Sequence, residues 1–211
     1  MVVRYLGAEV QRMEDPRLLT GHGRYVDDIT MAGMLEAAFL RAPLAHAKIR
    51  SIDPSRAEAL EGVHRVFTHA DFGEKYSHRM NQLYPAPVIE QNKTQYPLAK
   101  DEVCFVGETV AVVVADSRAI AEDALALIDV DYEALPAVVD IRTALEDGAP
   151  LAHADATSNL MGKMRSKFGD IEDALGKADH VFSAGFMQHR GGCHSMETRG
   201  VIAKDDPWGD G

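Results

Sequence analysis

Cysteine is almost missing from this chain. Only Cys104 and Cys193 occur in 211 residues, and they form no Cys-x-x-Cys pair. That is too few for a disulfide framework. Iron–sulfur clusters are usually held by four cysteine thiolates, so the chain is not expected to carry one by itself. A reducing, cytoplasmic setting is the expectation for such cysteine usage. Long apolar runs are missing too: none reaches the roughly 18 residues of a membrane span. The first ten residues carry Arg4 and Glu9 and have no apolar stretch or small-residue cleavage site, so they do not read as a secretory signal. Basic residues are the minority, 22 against 33 acids, for a net charge of −11. That balance argues against nucleic acid or an anionic membrane as partner. The acids are scattered, as on a solvated surface.

What is present suffices for a real core. Hydrophobic residues make up 46% of the chain, and the length fits one large domain or one domain plus a piece. Residues 1–20 are polar and irregular and read as an extended arm. Gly21-His22-Gly23 permits a tight turn. Met34–Arg41 reads as a strand largely buried on both faces, and Ala47–Ile52 as a half-exposed strand whose Ala47, Ile49 and Ser51 face one way. Asp53-Pro54-Ser55 opens a helix expected to end at Gly62. Val63–Thr68 is a further strand. Residues 71–98, with Pro85, Pro87 and Pro97, read as a long loop of the functional or partner-facing kind.

The clearest unit follows. Val103–Val106 and Thr109–Ala115 read as strands, the latter an unbroken apolar run suited to burial. Asp116-Ser117 caps a helix over Arg118–Leu127, and Ile128–Tyr132 returns as a strand. Leu135–Val139 continues extended, and Asp140 opens a short helix to Glu146. Residues 147–168 are linker-like. Asp170 caps a helix to about Lys177, and two strand-like runs follow, His180–Gln188 and Met196–Ala203. Helices and strands mixed in this way give an α+β fold.

Several residues carry possible chemistry. His189, Cys193 and His194 are zinc-type donors, but their spacing matches no strong zinc motif. Cys193 beside His194 resembles a nucleophile pair, yet neighbours on a strand point to opposite faces. Glu197 and Arg199 would share a strand face, as an ion pair or an interface. Arg41 and His46 flank Pro43 in what reads as a polar surface turn. Gly191-Gly192 lacks the strand–GxGxxG–helix setting of a phosphate cradle.

Five segments, taken in order, resemble a known family. They are Arg12–Gly21 with Gly23–Ile29; Phe39–Asp53, which contains Arg41-Ala42-Pro43-Leu44-Ala45-His46-Ala47; Val106–Asp116, beginning Val106-Gly107-Glu108; Asp129–Asp140, containing Tyr132-Glu133-Ala134-Leu135-Pro136; and His189-Arg190 through Met196-Glu197-Thr198-Arg199-Gly200. Together they are similar to the amino-terminal part of the large subunit of the xanthine dehydrogenase/aldehyde oxidase/carbon monoxide dehydrogenase family. The resemblance implies an extended arm over 1–17, an a/b hammerhead domain over 18–135, a connecting segment over 136–168 and the start of a molybdopterin-binding domain over 169–211.

The resemblance implies a component or fragment of a molybdenum hydroxylase, supplying scaffold and subunit contacts. Molybdenum–molybdopterin belongs to the complete family subunit, with iron–sulfur and flavin subunits as electron partners. The family's glycine-rich cofactor loop, substrate-positioning glutamine and catalytic glutamate are expected beyond residue 211. No catalytic, cofactor-binding or metal residue is therefore assigned, and this chain alone is expected to bind no cofactor. Its expected partner is the remainder of the large subunit or a complementary chain, met through Gln188, His189, Glu197 and Arg199. The alternative is a non-catalytic remnant or interaction module from a truncated or split reading frame.

Overall fold

A computed structural model describes residues 7–81, 88–91, 93–188, 191, 195 and 197–205. The chain divides into two units, residues 1–34 with 178–211, and residues 35–177.

The larger unit contains two three-stranded antiparallel sheets. In the first, β5 (Thr109–Ala115) lies between β1 (Glu36–Arg41) and β3 (Val63–Thr68). In the second, β2 (Ala47–Asp53) lies between β4 (Glu102–Val103) and β6 (Asp129–Ala134). The mixed α+β class is as the sequence implies. Helix α2 (Ser55–Glu58) packs on β3, and α3 (Arg118–Leu125) packs on β1, β5 and α2. Both helices therefore cover one face of the first sheet.

The apolar run Thr109–Ala115 becomes the central strand because its backbone is paired on both edges and its side chains reach two cores. Ala111, Val113 and Ala115 join one cluster with Val66, Ala121 and Ala124. Val110 joins the other with Ala47, Ala99 and Val103. Ile52 and Val130 pack against both clusters and so tie the sheets together. The fully buried residues of α3 are alanines, Ala121 and Ala124, flanked by the partly buried Ile120 and Leu125. Ser117 caps the helix by accepting the Ile120 N–H at 3.3 Å. Gly62 has φ +85°, and a Cβ there would lie 2.8 Å from Ile120 Cδ1; its carbonyl accepts the Asp116 N–H at 2.9 Å. That left-handed position favours glycine, and a Cβ there would push the Ile120 side chain aside.

Several expectations need correction. Strand β1 is not buried on both faces: Ala38 is buried but Phe39 is 46% exposed, because helices cover only one side. The alternation in β2 is reset by a register shift between Ile49 and Ser51, which leaves Arg50 and Ser51 both exposed and turns Ile52 inward. A β-bulge has this effect because the extra residue shifts side-chain parity. Helix α2 stops at Glu58, and Asp53 accepts the Ser55 N–H at 3.0 Å as an Asx turn rather than standing at the cap. Strand β4 covers only Glu102–Val103, since the chain turns at Gly107 (φ +89°) and leaves Phe105 and Val106 exposed. Helix α3 ends at Leu125.

Residues 140–146 form turns instead of a helix. Asp140 spends its carboxylate on the Arg142 N–H and guanidinium, a local arrangement that competes with helical bonding. The expected arm contains α1 (Asp15–Leu19), with a proline in its first turn. The described residues of His180–Gln188 and Met196–Ala203 form no strand, as no ladder partner pairs with them. Helix α4 (Ile171–Gly176) is capped by Asp170 as expected.

Residues 147–168 have no regular structure but are firmly attached within their unit. Asn159 donates to the Ala144 and Pro150 carbonyls at 2.8 Å and accepts the Ala152 N–H at 2.8 Å. Gln91 donates to the Leu160 carbonyl at 2.9 Å, and Ile89 forms an antiparallel bridge with Gly162. Described residues of the long loop, among them Gln91 and Lys93, thus bond to the segment 147–168.

Candidate functional site

The register of β2 against β4 creates a polar cluster. Ala47 pairs with Val103 and Lys48 with Glu102. The antiparallel ladder therefore sets His46, just before β2, opposite Cys104, just after β4. Glu102 and Cys104 are two apart and share a strand face. His153 and Asp155 arrive from the irregular segment, held there because the Glu102 carboxylate accepts the Ala154 N–H at 3.0 Å.

His46 is 7% exposed. Its Nδ1 donates to the Pro136 carbonyl at 2.9 Å, and its Nε2 lies 3.3 Å from Glu102 Oε2. The Cys104 Sγ lies 3.1 Å from His153 Nδ1, and the Glu108 carboxylate accepts the Cys104 N–H at 2.6 Å. On the outer side, Asp155 pairs with Arg79 at 3.2 Å and Lys93 at 2.8 Å.

Burial, helped by the neighbouring Glu102 and Glu108 carboxylates, pushes the Cys104 thiol up to about 12. Burial also raises Glu108, despite the hydrogen bond it accepts. His153 is held below the usual imidazole range by burial and then by Arg79. Asp155 is lowered, first by the Lys93 hydrogen bond. A thiol so strongly protonated is a poor nucleophile, so covalent catalysis at Cys104 is not what this cluster supports. Its nitrogen, oxygen and sulfur donors are those of a cation site.

This cluster is absent from the sequence-based reading, which places His46 in a surface turn. The available signal is faint: a Glu-x-Cys spacing on a strand and a histidine after a proline turn. The residues favoured from sequence lie elsewhere. Glu197 accepts the Val26 N–H at 2.8 Å, and no ion pair joins it to Arg199 among the described residues. Gln188 and Arg199 are exposed. His189, Cys193 and His194 lie outside the described residues.

The architecture, two antiparallel sheets sharing a core through one central strand with helices on one face, is that of an α+β hammerhead module. Residues 20–136 match the family description "aldehyde oxidase and xanthine dehydrogenase, a/b hammerhead domain". The chain is 44% identical over 203 residues to the nicotine 6-hydroxylase large subunit of Paenarthrobacter nicotinovorans, covering 96% of this chain and 24% of that one. The crystal structure of quinoline 2-oxidoreductase from Pseudomonas putida 86 superposes with a TM-score of 0.65 at 48% identity, covering 74% of this chain and 20% of that chain. The Cu,Mo-CO dehydrogenase in its carbon monoxide reduced state gives a TM-score of 0.65 at 38% identity, over 82% and 23%. This chain belongs to the aldehyde oxidase/xanthine dehydrogenase family and corresponds to a part of its large subunit. It spans about a quarter of the length of the curated relatives it matches.

The cofactor implied by that membership, a phosphate-bearing pterin holding molybdenum, does not fit the hollows described here. One of about 360 Å³ is lined by Asp140, Glu146 and Asp147. Another, of about 160 Å³, is lined by Asp27, Asp28 and Glu197. Neither has a lysine or arginine in its lining, and carboxylates repel a phosphate. No helix among the described residues is long and apolar enough to cross a membrane.

Proposed function

We propose that this chain is the hammerhead-bearing portion of a molybdenum hydroxylase large subunit, acting as scaffold and subunit contact rather than as a catalyst by itself. The observation that carries this reading is the contrast between its two units. Residues 35–177 have a packed double core. In the described part of residues 178–205, Val181, Phe182, Phe186 and Val201 are 60–95% exposed without a strand ladder. Exposed apolar residues clustered in one segment mark a surface for a partner. The occupant proposed is the rest of the large subunit, with Gln188, His189, Glu197 and Arg199 among the contacts. Molybdenum–molybdopterin would be held by that remainder, and iron–sulfur and flavin subunits would carry electrons away. A cytoplasmic location accords with this assembly.

The test is assembly. The chain is produced alone, and together with a chain supplying the remainder of a large subunit, in a host that makes the cofactor. Molybdenum is measured by elemental analysis and activity by dye reduction. The expected result is metal and activity in the co-purified assembly alone. Near-stoichiometric molybdenum with dye reduction in the chain alone would overturn the proposal.

A further inference from the structure

The His46–Glu102 contact poses a chemical question. The Pro136 carbonyl can only accept, so the His46 proton sits on Nδ1. In a neutral ring Nε2 then presents a lone pair to Glu102 Oε2, 3.3 Å away. Two acceptors facing each other at a residue 93% buried need a positive centre between them, either a proton or a metal ion. A ring whose Nδ1–H is fixed by a backbone carbonyl and whose Nε2 points at other donors is also the arrangement found at metal-ligating histidines.

The third donor is already in place. Ligand atoms of His46, Glu102 and Cys104 all lie within 4.8 Å of one another. His153 Nδ1 stands 3.1 Å from Cys104 Sγ and 4.0 Å from Glu102 Oε1. We infer that His46 Nε2, the Glu102 carboxylate and Cys104 Sγ form a binding site for a divalent cation of the zinc class, with His153 Nδ1 beside the Cys104 sulfur as an outer partner. The mixed nitrogen, oxygen and sulfur donor set selects such a borderline-soft ion over magnesium or calcium, which prefer oxygen alone. Binding displaces the thiol proton, and any proton held between His46 and Glu102, to solvent; no oxidation or reduction occurs. Arg79 and Lys93 count against a cation nearby, but both are engaged by Asp155. For that reason the neighbouring trio Glu102, His153 and Asp155 is not the site.

Such an ion would clamp the start of β2 to the end of β4, with the exit from β6 at Pro136 and the irregular segment at His153 one hydrogen bond further out. The inference is independent of the proposed assembly. The test uses the purified full chain titrated with zinc, followed by X-ray absorption at the zinc edge. One zinc per chain is expected, with a sulfur at about 2.3 Å and nitrogen or oxygen at about 2.0–2.1 Å. Cys104 and Cys193 are the two cysteines, so the sulfur shell should persist in Cys193→Ser and vanish in Cys104→Ser. Cobalt substitution should give a thiolate charge-transfer band with the same dependence. His153→Ala should weaken zinc roughly tenfold or more, and His22→Ala should not. A zinc shell without sulfur in the unsubstituted chain overturns the inference, as does loss of the sulfur in Cys193→Ser. Both readings stand even where Cys104→Ser fails to fold.

Discussion

The Glu197 carboxylate accepts the Val26 N–H at 2.8 Å, joining positions 171 residues apart. Close by, a Cβ at Gly200 would lie 2.9 Å from Val26 Cγ1. The residue expected to bind a neighbouring domain is thus engaged with the chain's own amino-terminal segment. Replacing Glu197 by Ala should speed amide exchange at Val26 while leaving Val112 and Val113, in the central strand, strongly protected. Exchange at Val26 that is unchanged, read by NMR, would remove this contact as a fastening.

Leu98 is 2% exposed although it lies at the end of the long loop. Leu98→Ala should cost about 2–5 kcal/mol, as buried leucine truncations do. Phe168 is fully exposed, and Phe168→Ala should change stability by less than about 0.5 kcal/mol. Urea denaturation of both variants gives the comparison, and equal midpoints would contradict the packing described.

Two glycines with similar φ should respond differently to alanine. Gly62 (φ +85°) would drive a Cβ into Ile120, whereas Gly107 (φ +89°) has open space. Both lose about 1–2 kcal/mol from the left-handed backbone. Gly62→Ala should lose more, because the Ile120 side chain must move. Thermal melts that rank the two variants the other way would argue against the close α3 approach.

Two carboxylates should give opposite pH slopes. The Thr68 N–H, followed by the Arg65 guanidinium, holds Asp71 below the ordinary carboxylate range. Its stabilisation is present above the unfolded value and is lost as pH falls through the lower folded value. Burial raises Glu108, so its contribution is complete below the unfolded value and is lost as pH rises through the folded one. Asp71→Asn should flatten the acid side of a stability–pH curve, and Glu108→Gln the stretch just above the ordinary glutamate range. Urea midpoints measured across pH decide; identical curves for all three proteins would refute both assignments.

The sequence made β5 and the Ser117 cap legible because each is a local signal: an unbroken apolar run, a capping hydroxyl. It misled where a neighbour decides. Phe39 looks like core but lacks a layer above it. Arg50 hides a bulge that resets β2. Val181–Met187 has strand composition but no described partner. The His46–Glu102–Cys104–His153 cluster was illegible for the same reason: its members are distributed from position 46 to 153 and meet through strand register and a loop crossing. Neither leaves a pattern in a linear window.

The central position of β5 has a consequence during synthesis. Strands β1 and β3 both pair with it and not with each other. Thr68 and Ala115 are separated by the whole long loop, so β1 and β3 leave the ribosome with no edge to join. At about 5–20 residues per second β3 waits roughly 2–9 s for β5 to be complete, and β1 longer. During that interval Val66, Phe67, Phe39 and Leu40 are open to any other chain nearby. A nascent-chain chaperone should therefore bind most strongly to chains arrested between Thr68 and Thr109, and release them once Ala115 has emerged.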